Sequence, residues 1–161
     1  MGHVETPEQP RTTGGWRRPL LHVGGALLVV VVAMQLIPYG WTHSNPPVLA
    51  DAPWPSAEAE AVARQSCYSC HSNETEWPAY SYVAPMSWLV RRDVDRGRAE
   101  LNFSEWGVDE DAADDAADEI EDRSMPPRQY TLVHPDAALS DEDAALLLGA
   151  LEQMEQDLEG D

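Results

Sequence analysis

Lysine is absent from this 161-residue chain, phenylalanine occurs once and cysteine twice. The ten basic residues are therefore all arginines, set against 29 acids for a formal charge of −19. That balance could not neutralise a run of phosphates, which excludes nucleic acid as a partner and argues against adhesion of the folded part to an anionic lipid surface. The acids read instead as a solvated face. No stretch alternates apolar and polar residues long enough to build a sheet, so the fold class is all-α. Two cysteines three positions apart cannot tie distant segments together, which excludes a disulfide framework. With one phenylalanine and much alanine the core is thin. A small, thin core commonly needs a staple, and a buried prosthetic group would supply the missing apolar volume.

Residues 1–19 form a polar tail that carries Arg11, Arg17 and Arg18, and Leu20 to Ile37 then read LLHVGGALLVVVVAMQLI. At about 1.5 Å per residue this run reaches about 27 Å, adequate but short against a hydrocarbon core of about 30 Å. Residues 20–38 are expected to form a transmembrane helix retained as an anchor. The alternative is a cleaved secretory signal, although the nearest small-residue cleavage site, Val48-Leu49-Ala50, lies far downstream. Arginines before the span, and none after it until Arg64, place the N-terminus in the cytoplasm and the remainder on the periplasmic side of the cytoplasmic membrane. Five prolines between Pro38 and Pro55 forbid helix there and suggest an extended spacer, residues 39–55, that holds the domain off the membrane. Residues 56–154 are expected to be the domain itself, and 155–161 an acidic tail.

Within the domain, Ser56 is a candidate N-cap for a helix in which Ala59, Val62, Ala63, Ser66 and Cys67 share a face. A second helix is expected around Met86–Asp95, with Leu89, Val90 and Val94 on one side and Gly97 ending it. Ala113, Ala116, Ala117 and Ile120 trace the apolar stripe of a third, strongly acidic helix. The run SMPPRQYTLVHP, Ser124–Pro135, contains three prolines and is expected to be a loop. Ser140, followed by Asp143 three positions on, is a capping-box pattern. It opens a last helix that points Ala144, Leu147, Leu148, Leu151 and Met154 at the core.

Both cysteines fall in Cys67-Tyr68-Ser69-Cys70-His71. Cys-x-x-Cys-His is the attachment signature of c-type haem, in which the two thiols add to the vinyl groups and the histidine ligates iron. One helical turn sets the sulfurs along one edge of the macrocycle, and the next residue turns its imidazole under the metal. A thioredoxin-like dithiol would instead open a helix inside a β-α-β unit. A zinc site needs four ligands, and completing it with His71 and His134 gives an uncommon spacing. Haem iron calls for a sixth ligand: Met125, framed by prolines, is the first candidate, His134 the competitor, and an open position the third outcome. Met86 is more distant still, at a helix start. Trp77, Tyr80 and Tyr82 either wall the macrocycle or are core aromatics of a small domain.

The runs NPPV (Asn45–Val48), CYSCHSNETEWPAYSYVAPMSWL (Cys67–Leu89), RDVDRGRAELNFSEW (Arg92–Trp106) and MPPRQYTLVHPDAALSDED (Met125–Asp143) resemble the bacterial haem-binding domain family. These are small c-type-cytochrome-like proteins with an N-terminal hydrophobic segment. The resemblance implies a cytochrome-c-like helical fold and one covalent haem c held through Cys67, Cys70 and His71. The expected function is one-electron transfer to redox partner proteins by a membrane-anchored carrier, not an enzyme. The alternative is a haem-based redox or gas sensor with a labile sixth ligand.

Overall fold

The computed structural model describes the backbone of residues 17–107 and 112–159. The chain divides into two compact units, residues 1–38 and 39–161. In the first, helix α1 (Arg17–Gln35) takes up most of the apolar run, and its leucines and valines from Leu20 to Val32 are exposed. Among the described residues no helix is long and apolar enough to cross a membrane. The span expected at 20–38 is thus present as a helix of 19 residues, without support for a crossing. The polar tail lies outside the described residues as far as residue 16.

The second unit is built from α2 (Ala57–Ser66), α3 (Tyr68–His71), α4 (Met86–Glu100), α5 (Ala112–Glu121), α6 (Arg128–Thr131) and α7 (Asp141–Glu159), with 3-10 turns at Ala79–Tyr82 and Pro135–Ala137. No strand occurs among the described residues; the one isolated bridge pairs Ala50 with Glu105. The all-α expectation holds, and the helix starts follow the local chemistry. The Ser56 hydroxyl accepts from the Ala59 N–H at 3.1 Å. At α7 the box closes both ways: the Asp143 N–H donates to Ser140 Oγ at 3.1 Å, and the Ser140 N–H donates to the Asp143 carboxylate at 3.1 Å. These contacts satisfy N-terminal donors that have no partner inside the helix.

The helices form a chain of neighbours. α5 packs on α7, α7 on α2, α2 on α3, and α3 on α4. The core collects Ala63, Ile120, Leu147, Leu151 and Met154 around an aromatic cluster. Phe103 is its centre, stacked on Tyr68 with centroids 5.2 Å apart and on Trp106 at 6.1 Å, with Trp54 tilted against it at 5.1 Å. Apolar volume is thereby concentrated in a few large rings, which compensates for the many alanines.

Three expectations are corrected. Gly97 does not end α4, which runs on to Glu100. The Ser124–Pro135 stretch is not wholly loop, because α6 supplies one turn with Pro127 as its N-cap, where no N–H is required of it. And α7 stays helical through Glu159, past the point where an acidic tail was expected to begin. The proline-rich residues 39–55 are extended as expected, yet they are fastened along the domain. Arg91 donates to the Thr42 carbonyl at 3.0 Å, and Arg98 to the Ser44 carbonyl at 3.1 Å and to Asn45 Oδ1 at 3.0 Å. The Ala52 N–H donates to the Phe103 carbonyl at 2.8 Å. This segment is a strap.

Candidate functional site

Cys67 caps the end of α2, its N–H bonded to the Ala63 carbonyl at 2.8 Å, and the chain turns at once into the single turn of α3. The Cys67 carbonyl accepts from the N–H groups of both Cys70 (3.0 Å) and His71 (2.9 Å). This turn fixes the three motif side chains relative to one another. Tyr68 anchors it to the core: its ring is buried against Phe103, its hydroxyl accepts from Trp54 Nε1 at 2.9 Å, and the Arg64 guanidinium lies 4.4 Å from its centroid.

α4 closes the other side. A Cβ on Gly97 would stand 2.5 Å from the Cys70 carbonyl oxygen, so only glycine lets α4 pack this close to the motif. Just past α4, the Leu101 carbonyl lies 3.1 Å from His71 Nδ1. A carbonyl can only accept, so Nδ1 carries the proton and Nε2 keeps its lone pair. Burial lowers the His71 pKa, which keeps the ring neutral and able to ligate. Both thiols are free. Burial pushes Cys67 up to about 12 and Cys70 up to about 11, with the charges of Cys70 and Asp93 respectively adding to the effect.

Beside Cys70 opens a cavity of about 500 Å³, a size that suits a cofactor. α2 and α3 contribute Arg64, Tyr68 and Cys70, α4 contributes Val90, Asp93 and Val94, and the far wall is Tyr80, Tyr130 and His134. The Tyr80 hydroxyl is hydrogen-bonded to His134 Nε2 at 2.6 Å, and burial raises the Tyr80 pKa. Tyr130 stacks on the same imidazole with centroids 4.5 Å apart.

A family model for the haem-binding domain matches residues 29–153. The chain belongs to the haem-binding domain family. No curated protein and no solved structure matches it. Haem is accordingly the cofactor, and the residues fit it. Cys70 lines the cavity while Cys67 and His71 do not, and His71, the next residue, supplies the neutral imidazole with a free lone pair that a haem iron takes as ligand.

The structure brings together some of the residues named from sequence and separates others. Cys67, Cys70 and His71 share one turn. Tyr80 and His134 line the cavity beside Cys70. Met125 lines a different cavity, of about 420 Å³, with Ile120, Pro126, Leu139 and Leu148. Trp77 and Tyr82 do not line the Cys70 cavity; they hold His43 of the strap, Tyr82 stacked on it at 3.9 Å and Trp77 edge-on at 4.8 Å. Met86 is the first residue of α4 and is 40 % exposed. Sequence reasoning missed Leu101, Gly97 and Tyr130. The last had a readable signal, its four-residue spacing from His134; a carbonyl acceptor 30 positions from its histidine had none.

Proposed function

We propose that this domain binds haem c covalently and serves as a one-electron carrier, not an enzyme, held at the outer face of the cytoplasmic membrane by α1. The observation that carries the reading is the His71 hydrogen bond to Leu101, which aims a neutral imidazole's free nitrogen from the same turn that holds two unpaired thiols. Cys67 and Cys70 would hold the group through thioether bonds, each thiol adding across one vinyl with its proton going to the neighbouring carbon, so that no oxidant would be consumed. Bound haem supplies a one-electron couple, whose potential depends on the axial ligands and on burial. His71 orients and ligates, Leu101 fixes its tautomer, and Tyr68 and Gly97 keep the turn in place. For anchoring, the support is the exposed apolar surface of α1, about 28 Å long at about 1.5 Å per residue. Tethering there would raise the effective concentration of redox partner proteins.

The sixth ligand comes from the segment between α5 and α7, as Met125 or His134. His134 has the support of its place on the wall of the Cys70 cavity. A second reading, a redox or gas sensor with a labile sixth position, is favoured by the Tyr80 contact, since a hydrogen-bonded Nε2 must be released before it can ligate. Full-length protein made in a host with periplasmic haem-attachment machinery tests the main reading by intact mass and pyridine haemochrome spectrum. One covalently bound haem is expected, with one thioether lost in Cys67→Ala or Cys70→Ala. A colourless product with both thiols unmodified refutes it. Visible spectra of Met125→Ala and His134→Ala identify the ligand, and ready CO uptake by the reduced wild-type protein favours the sensor.

A further inference from the structure

We propose that one face of the domain, formed by the start of α4, the Ala79–Tyr82 turn and the first residues of the strap, rests on the lipid bilayer. This inference rests on the anchoring by α1 and names the surface that meets the membrane. Leu89, expected on the core side of α4, is exposed. It stands with Tyr39, Trp41, Tyr82, Val83 and Met86, all between 40 and 61 % exposed. Gly40 ties the group together: a Cβ there would meet the Ser87 carbonyl at 2.7 Å, so Tyr39 and Trp41 flank a residue pressed against the first turn of α4. His43, stacked on Tyr82, draws the next residues of the strap to the same side.

Three observations select a bilayer as the occupant. The first is the chain path. Tyr39 comes four residues after Gln35, the last residue of α1, a distance of about 14 Å at most. Because the strap is bonded to α4 from Thr42 onward, this face carries the residues of the domain that follow α1 most closely in sequence. The second is side-chain chemistry. Exposed tyrosine and tryptophan beside aliphatic side chains match the headgroup layer, where amphipathic rings concentrate. Arg92 and Arg96, exposed further along α4, can reach lipid phosphates.

The third is the distribution of charge. Averaged over the chain, the acids argue against any lipid surface, but the fold segregates them. α4 carries four arginines against three acids, whereas α5 carries five acids and α7 seven, with no basic residue in either. α4 packs on α3 and on the Ala79–Tyr82 turn, whereas the acidic pair α5 and α7 pack on each other, with α7 on α2. The acids of α5 and α7 then repel the membrane and orient the domain.

The test places a benzophenone side chain at Met86 or Leu89 of the full-length holoprotein, with Gln153 on α7 as control, in phosphatidylethanolamine and phosphatidylglycerol vesicles. Haem content confirms folding of each variant. Irradiation is expected to give phospholipid adducts at 86 and 89 in several-fold higher yield than at 153. Absence of lipid adducts at 86 and 89 overturns the proposal, as does an adduct joining two copies of the chain. An alkaline wash after irradiation reports on α1 separately. A chain that stays with the vesicles but carries no adduct refutes this face and leaves the anchor standing. A chain that carries adducts yet is washed free upholds the face and removes the anchor.

Discussion

Replacing Gly97 with alanine should destabilise the protein although alanine is the better helix former. The new Cβ would lie 2.5 Å from the Cys70 carbonyl oxygen, 2.9 Å from its carbonyl carbon and 3.1 Å from its Cβ. Ordinary contact needs about 3.5 Å, so α3 and α4 must part by as much as about 1 Å. The obstacle is backbone, which cannot swing aside as a side chain can. Overpacking of this kind costs about 1–3 kcal/mol, and the gain in helix propensity is about 1 kcal/mol, leaving a net loss of up to about 2 kcal/mol. Gly149, in the middle of α7, provides the control, since a Cβ there meets nothing within 4 Å. Gly149→Ala should therefore stabilise by up to about 1 kcal/mol. The two variants should differ by the overpacking cost, about 1–3 kcal/mol, or about 3–12 °C in Tm for a domain of this size. Thermal unfolding of the two holoproteins, followed by far-ultraviolet circular dichroism, measures it. If Gly97→Ala melts at or above Gly149→Ala, the close approach of α4 to the haem-attachment turn is wrong.

Three further outcomes follow from the contacts. Ser140→Ala removes the half of the α7 capping box in which the Asp143 N–H donates to Ser140 Oγ, while the backbone N–H of residue 140 still donates to the Asp143 carboxylate; it should cost about 1 kcal/mol in urea unfolding, whereas Ser140→Asn should keep most of it. Arg98 donates to four oxygens, those of the Ser72 and Ser44 carbonyls, Asn45 Oδ1 and Thr75 Oγ1. Arg98→Met should cost about 2 kcal/mol and free the strap for proteolysis between residues 39 and 47; an unchanged cleavage pattern would count against the strap. In the haem-free chain, burial lowers the His71 pKa below its unfolded value, so the unfolded state binds the extra proton first. Stability is then full above a pH of about 6.5 and falls as the pH drops through that value. His71→Gln should flatten that part of the acid titration, measured as the urea midpoint at each pH.

Local features of the fold were legible in advance because short-range chemistry decides them. The N-caps Ser56 and Ser140 were readable from one residue type and its three-residue partner, and the buried stripe of α7 from its period. The Cys-x-x-Cys-His motif was readable because its three residues occupy a single turn, so sequence distance and spatial distance coincide. Errors arose where a residue has a local propensity and a stronger tertiary role. Gly97 looked like a stop signal, but the backbone of Cys70, 27 positions away, is what requires glycine there. Leu89 looked like core because its apolar character fits the helical period, yet it is exposed.

By itself, then, the sequence determined the all-helical class, the helix starts at Ser56 and Ser140 and the single turn that holds Cys67, Cys70 and His71, since each depends on neighbours within about one helical turn. Only the tertiary structure decided which nitrogen of His71 stays free, which of Trp77, Tyr80 and Tyr82 reaches the Cys70 cavity, and that His134 lines that cavity while Met125 lines another. It also decided that residues 39–55 are a strap and that the acidic helices α5 and α7 pack on each other while α4 packs on α3. Those outcomes depend on carbonyls, ring faces and charges brought together across tens of residues, and no periodicity or spacing in the chain encodes such distances.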